Sequence, residues 1–381
     1  MKNKNKTVKE VLSYYDVGLI LIVVLLCVFG LMMVYSTSYY NADYYYQDEV
    51  KYFSSQLRNF IIGFVLMIAV SMIDYHFYFK AVTINGRKVR PVLVIGYIVC
   101  CGSQIYAMVF GHSSNGSSRW INIAGFTLQP SEMMKVLFVL MVSYICVKYR
   151  KRFKNLWGFF IAFAFMAIPF FLVAKVNLSS GLILMGILGV VCFVATRRKI
   201  WYALLVPVGG AAAFVGAMLV GYRADRINEF IGGNVDTGSQ IMQGLYAIAS
   251  GGLFGKGLGN GVLKKGYIQE VHTDMIFTVI CEELGIIGGI CVIIVFMMLI
   301  IRIMSVAFNA SDALGRLIAT GVLAQVAIQV FLNIAVVTRM IPATGIPLPF
   351  ISYGGSSLIF LMIEMGIVLN VSKKSGIEIE D

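Results

Sequence analysis

The chain reads as long apolar runs separated by short polar clusters, and the runs are too long for the core of a water-soluble domain. A helix crossing a hydrocarbon layer of about 30 Å needs roughly 17 to 25 consecutive apolar residues. The pattern predicts ten such helices, near residues 17–36, 59–73, 91–110, 130–147, 157–174, 180–196, 200–222, 275–301, 317–337 and 356–372. The expected fold class is therefore an all-α polytopic membrane protein, one transmembrane domain over residues 1–381. Between the seventh and eighth helices residues 223–274 form one long loop, and smaller polar segments fall at 37–58, 111–129 and 338–355. A connection of that length points to function. Within it "IMQGLYAIA", residues 241–249, has the pattern of a short amphipathic helix lying on a membrane surface.

Composition agrees with the pattern: 59% hydrophobic residues, 13% charged and a mean hydropathy of +0.83. Charge then orients the chain, because Lys and Arg in short loops stay on the cytoplasmic side. With the N-terminus inside, that side collects Lys2, Lys4, Lys6, Lys9, Lys80, Arg87, Lys88, Arg90, "KYRKRFK" at 148–154, "RRK" at 197–199, Arg302, Arg316, Lys373 and Lys374, or 20 of the 31 basic residues. Both termini are expected to be cytoplasmic, and the long loop extracytoplasmic. Topology and anionic headgroups account for the net charge of +12, and no basic domain suggests a nucleic-acid partner. No small-residue cleavage site follows the first apolar run, which is expected to be a retained helix. The seven cysteines all lie in apolar segments without C-x-x-C spacing, as buried thiols rather than a disulfide framework or zinc site.

Candidate chemistry collects on the outer side. The stretch "GYIQEVHTDMIFTVICEELG", residues 266–285, places Asp274 where the eighth helix begins, and an ionised carboxylate costs far less there than deeper in the membrane. Asp274 is either a catalytic carboxylate or, with Thr273, a cap for the helix N-terminus. Glu282 and Glu283 lie about 12 Å further along that helix and must face protein or a water-filled cleft. The glycine-rich "GGLFGKGLGNGVLKKG", residues 251–266, fails the phosphate-loop pattern, since Gly257 follows Lys256 where Ser or Thr would hold magnesium. It is either a hinge or an anion contact through Lys256, Lys264 and Lys265. In "GSSRWINIAGFTLQPSEMMK", residues 116–135, Pro130 suits a first helical turn and Glu132 and Lys135 share a face. They are a structural pair or, with Arg119, the lining of an outward cleft. In "RMIPATGIPLPFISYGGSS", residues 339–357, three prolines and three glycines break any helix. Such backbone survives at membrane depth only inside protein or along a cavity.

The blocks "SSRWINIAGFTLQPSEMMK", "GYIQEVHTDMIFTVICEELGIIG" and "PATGIPLPFISYGGSS" together resemble the signatures of the SEDS family, the shape, elongation, division and sporulation proteins typified by FtsW, RodA and SpoVE. The resemblance implies ten spans with both ends inside, in a bacterial cytoplasmic membrane. It also implies a peptidoglycan glycosyltransferase that polymerises lipid II at the outer face and releases undecaprenyl pyrophosphate. Its implied partners are a class B penicillin-binding protein and other division or elongation membrane proteins. By the same resemblance Asp274 is the catalytic acid, and Arg119, Glu132 and Lys135 are cleft residues. His272, Thr273 and Ser352 belong to the matching blocks and join the substrate-binding candidates, as do Arg226 and Lys265. Polymerisation needs one base and positive charge at the pyrophosphate. Arg119, Lys135, Arg223, Arg226, the glycine-loop lysines and a divalent cation, Mg or Mn, are the candidates for that charge. A pyrophosphate leaving group needs no second carboxylate of the kind hydrolytic glycosidases use.

Two positions depart from the family pattern. "VNLSS", residues 176–180, puts Asn177 where many members carry an aspartate, and Gln243-Gly244 replaces a common Gln-Ser pair. The "YSTS" after the first span and "ISYGGSSLI" lean toward the division or sporulation branch. The rival readings are a flippase or other transporter, which intramembrane Glu132, Lys135, Glu282, Glu283 and Glu364 would suit, and a noncatalytic division scaffold.

Overall fold

The computed structural model describes residues 15–84, 87–114, 117–123, 126–154, 157–196, 240–262, 264 and 271–375. The expected span at 200–222, Arg223, Arg226 and Lys265 lie outside the described residues. Ten helices are described: α1 Val17–Tyr46, α2 Lys51–Met72, α3 Pro91–Phe110, α4 Pro130–Lys148, α5 Trp157–Val176, α6 Leu178–Ala195, α7 Gln240–Gly251, α8 Ile276–Phe308, α9 Ala313–Val337 and α10 Gly355–Ser375. All but α7 are long and apolar enough to cross a membrane.

Two expectations change. The segment 37–58, expected as a polar connection, is mostly helix: α1 continues ten residues past 36, and α2 starts at Lys51. "STSYYNADYYY" contains no proline or glycine to stop a helix that its apolar half has already nucleated. Polarity alone did not break it. The all-α class also gains five short strands among the described residues. They are a hairpin of β1 Val82–Ile84 with β2 Arg87–Val89, and an antiparallel set of β3 His112–Ser114, β4 Ser117–Ile123 and β5 Phe126–Leu128 leading into α4.

Both ends of the described chain lie at one end of the bundle. Arg302, near the end of α8, reaches Asp16 before α1, and the Lys373 ammonium lies over the Tyr15 ring. At this end Asp312 caps α9 by accepting from Gly315 N (2.8 Å), and it also accepts from the Tyr75 hydroxyl (2.6 Å). Asn370 of α10 accepts from Tyr75 N and donates to Ser71 O (2.8 Å each). Burial and these contacts push the Tyr75 phenol above its usual range.

Helices α2 and α10 pack most extensively, and small residues explain how. A methyl group at Gly366 would lie 2.5 Å from Met67 O, so the backbones meet directly. The segment between α9 and α10 then folds back into the bundle. Gly30 of α1 faces its backbone, and a Cβ there would sit 2.7 Å from both Ile351 Cα and Phe350 O. Gly30 is about 20 Å along α1 from its start, so this irregular segment lies at membrane depth. Gly30→Ala is therefore expected to destabilise the protein by roughly 1–3 kcal/mol through overpacking. Thermal unfolding of the purified protein checks it; a native midpoint would mean that the segment moves freely away from α1.

Candidate active site

The folded-back segment between α9 and α10 is held from several sides, as buried irregular backbone must be. Ser179 of α6 donates to Thr344 O (2.6 Å), Asn333 of α9 to Ile346 O (2.7 Å), and Gln56 of α2 to Ser352 O (3.2 Å). Ser352 closes the segment's own turn: its hydroxyl accepts from Leu348 N (2.8 Å) and its amide donates to Leu348 O (3.0 Å). Expected as a substrate ligand, Ser352 is buried and engaged in shaping the backbone. Phe350 within the turn has φ 63°, costly for a non-glycine residue and maintained by this surrounding framework.

Asp274 sits against that segment. The eighth helix starts at Ile276, within one residue of the predicted 275, and residues 271–275 form a turn before it. Met275 is the N-cap of α8 and makes no side-chain capping bond. Asn333 Nδ2 fixes the Asp274 carbonyl (2.8 Å), and Thr273 donates to the Asp274 carboxylate (3.3 Å). A Cβ at Gly345, whose φ is +65°, would lie 3.6 Å from Asp274 Oδ2. The carboxylate is thus only partly buried, on a backbone that Asn333 ties to the folded-back segment.

His272 is packed between aromatic rings, 4.6 Å from Tyr52 and 5.4 Å from Tyr353, while Tyr353 N donates to its carbonyl (2.8 Å). Burial pushes its imidazole down to about 4, so it is neutral at pH 7. Because the unfolded chain binds this proton from about pH 6.5 downward and the folded one does not until about 4, the linked stability is whole above pH 6.5 and falls as the solution is acidified. The expected loss by pH 4 is on the order of 3 kcal/mol. Thermal midpoints of native protein and His272→Phe, compared between pH 7 and 5, should diverge in slope; parallel slopes would sink the assignment.

Below Asp274 a polar stripe runs down α9. Asn333, Gln329 and Gln325 are spaced by four and share one face, covering about 12 Å. At its inner end Gln325 donates to Glu364 of α10 (2.7 Å). Lys135 and Glu132 of α4 pair at 2.8 Å, almost fully buried, and lie within electrostatic range of Glu364. Glu364 Oε1, Gln325 Oε1 and Gln329 Oε1 are buried without hydrogen-bond partners among the described residues. Sequence reasoning named Glu364 only as a charge suited to transport; its convergence with Lys135 depends on how α4 and α10 meet.

The described part of the glycine-rich stretch packs against a break in α8. Helix α8 breaks at Gly285, whose φ of 73° and ψ of −176° only glycine adopts readily. The stretch clasps the break: Lys256 N and Gly257 N donate to Glu282 O and Glu283 O (3.0 and 2.9 Å), and Ile286 N donates to Gly252 O (2.9 Å). Lys256 Nζ pairs with Glu282 (2.8 Å), and Lys264 Nζ with Glu283, which also accepts from Ser36 of α1 (2.7 Å). The two glutamates face protein, as expected. Lys256 and Lys264 are therefore withdrawn as phosphate ligands, because a buried carboxylate deprived of its partner is costly. Helix α7 does form, but its Gly244, Ala247 and Gly251 pack on α8, and a Cβ at Gly251 would meet Cys281 O at 2.0 Å.

The remaining candidates are dispersed. Arg119 lies half-buried on β4. Asn177 caps α6, accepting from Ser180 N (3.2 Å), a task asparagine performs as well as aspartate. Among the described residues no three His, Cys, Asp or Glu side chains converge as a metal cage.

Comparison with known proteins places this geometry in context. A family model described as a cell cycle protein, FtsW/RodA/SpoVE, matches residues 17–376. Stage V sporulation protein E of Bacillus subtilis is 36% identical over 368 residues, covering 94% of this chain and 97% of that protein. A probable peptidoglycan glycosyltransferase FtsW of Trichlorobacter lovleyi is also 36% identical, covering 95% and 94%. Among solved structures, a chain from work on the structural coordination of polymerization and crosslinking by a peptidoglycan synthase complex superposes with a TM-score of 0.73 at 22% identity, covering 96% and 99%. The rod shape determining protein RodA of Thermus thermophilus gives 0.67 at 21%, covering 94% and 97%. These two likenesses carry the fold alone.

Proposed function

Because the chain belongs to the FtsW/RodA/SpoVE family of cell cycle proteins, the SEDS family, we propose that Asp274 is the base with which this multi-pass membrane enzyme, a peptidoglycan glycosyltransferase, polymerises lipid II. The observation that carries the reading is the placement of Asp274: backbone fixed by Asn333 and side chain partly open beside Gly345 of the folded-back segment. A hydroxyl of one lipid-linked sugar attacks the anomeric carbon of the next, the bond to undecaprenyl pyrophosphate breaks, and Asp274 takes the hydroxyl proton. The attacking sugar and the leaving pyrophosphate are held on the outer face of the cytoplasmic membrane, the end of the bundle opposite the Tyr75 network. That orientation follows from the excess of Lys and Arg assigned to the inner side.

Positive charge at the pyrophosphate would come from Arg119, with Arg226 and Lys265 as further candidates outside the described residues. Lys135 instead neutralises buried Glu132. Among the described residues no His, Cys, Asp or Glu cluster would hold a divalent cation; a Mg or Mn ion, where present, would neutralise charge on the substrate's pyrophosphate. His272 and Thr273 position Asp274 rather than touch the pyrophosphate. A crosslinking partner of the class B penicillin-binding type fits a fold shared with a component of a peptidoglycan synthase complex. The sporulation and FtsW relatives support the division or sporulation branch.

The test is polymerisation of labelled lipid II by purified protein, with and without a candidate transpeptidase and a divalent cation. Glycan chains are expected from the partnered protein. Their absence under conditions where a related polymerase works would move transport or scaffolding to the front.

A further inference from the structure

Helix α1 has 30 residues, about 45 Å at 1.5 Å per residue, against a hydrocarbon thickness of about 30 Å. Its last turns therefore rise above the membrane, and they carry an unusual load. Tyr39, Tyr40, Tyr44 and Tyr46 are all exposed, Tyr44 by 73%. The rings then continue inward. Tyr46 meets Tyr52 of α2 at 5.9 Å, with the Lys51 ammonium 3.5 Å over the Tyr46 ring. Tyr52 meets His272 at 4.6 Å and Tyr353 at 5.2 Å. His272 is two residues from Asp274. A continuous row of aromatic rings thus leads from the exposed tip of the α1–α2 hairpin to the turn that bears the candidate base.

Such a row suits a polysaccharide. Pyranose rings present C–H faces that pack on aromatic faces, and their hydroxyl and acetamido groups find partners in phenols and in amides such as exposed Gln47. We propose that Tyr46 and Tyr52 form the track along which the growing glycan strand lies after it leaves Asp274; this rests on the polymerase reading. Rings on the exposed tip hold sugars already joined. Longer strands therefore gain contacts that a single disaccharide lacks, and the track governs how many additions occur before release.

The experiment compares native protein with Tyr46→Ala/Tyr52→Ala, and with Tyr46→Phe, for glycan length and initial rate on labelled lipid II. Mean length is expected to fall roughly fivefold in the double variant, by more than the initial rate falls, and to be retained with phenylalanine. Equal lengths in native and double variant overturn the track. A lower folded yield with unchanged length per folded molecule also overturns it, assigning the tyrosines to membrane-interface anchoring. A native protein that makes no polymer removes the polymerase reading instead. The track is then judged by saturation-transfer NMR with chitohexaose: signal lost in the double variant supports it, and equal signals overturn it.

Discussion

Asp274→Asn is expected to lower lipid II polymerisation by roughly 10²- to 10⁴-fold, the usual contribution of a positioned base, while the protein keeps its native melting behaviour. Asparagine has nearly the same shape, and the bond from Asn333 goes to the backbone carbonyl, which the substitution leaves in place. Met275, not Asp274, is the N-cap of α8, and asparagine is tolerated at a helix start as well as aspartate. Purified native and variant proteins, matched for unfolding midpoint and for binding of the transpeptidase partner, are compared for glycan products. A variant that polymerises at the native rate would require the base to be sought elsewhere. A variant that loses both activity and fold would be a structural result, and the matched midpoints separate the two.

The second large effect lies deeper. Lys135→Met should cost about 3–5 kcal/mol of stability, because it leaves Glu132 buried without its ammonium and Glu364 in the same apolar surroundings. The size of methionine excludes a simple cavity as the cause. The double variant Lys135→Met/Glu132→Gln removes both charges of the pair and is expected to recover a large part of the loss. Unfolding of the purified protein by heat or denaturant reads both. If Lys135→Met melts like the native protein, the pair is not held as an ion pair, and Lys135 returns to the candidates for the pyrophosphate.

These two residues illustrate what was legible. Asp274 stood out because an acid at the mouth of an apolar run is unusual whatever the fold, and the family resemblance selected chemistry over capping. Glu132 and Lys135, three apart, announced their own pairing through helix periodicity. Glu364 announced nothing about its neighbours, because α4 and α10 meet only in the folded bundle. The pairing of Lys256 and Lys264 was hidden for the same reason. Both looked available to anions, while the carboxylates they neutralise lie 26 and 19 residues away. Ser36, which completes the contact to Glu283, is 247 residues distant.

The sequence by itself determined the multi-pass membrane architecture and most of the spanning helices. Those follow from apolar length, which acts locally along the chain. Only the tertiary structure decided that α1 runs on to Tyr46, that α8 breaks at Gly285 to receive the glycine-rich stretch, and that the segment after α9 folds back to Gly30. Each of those depends on buried backbone groups finding partners. In a medium that offers no water, the partner can lie anywhere in the chain that packing brings close.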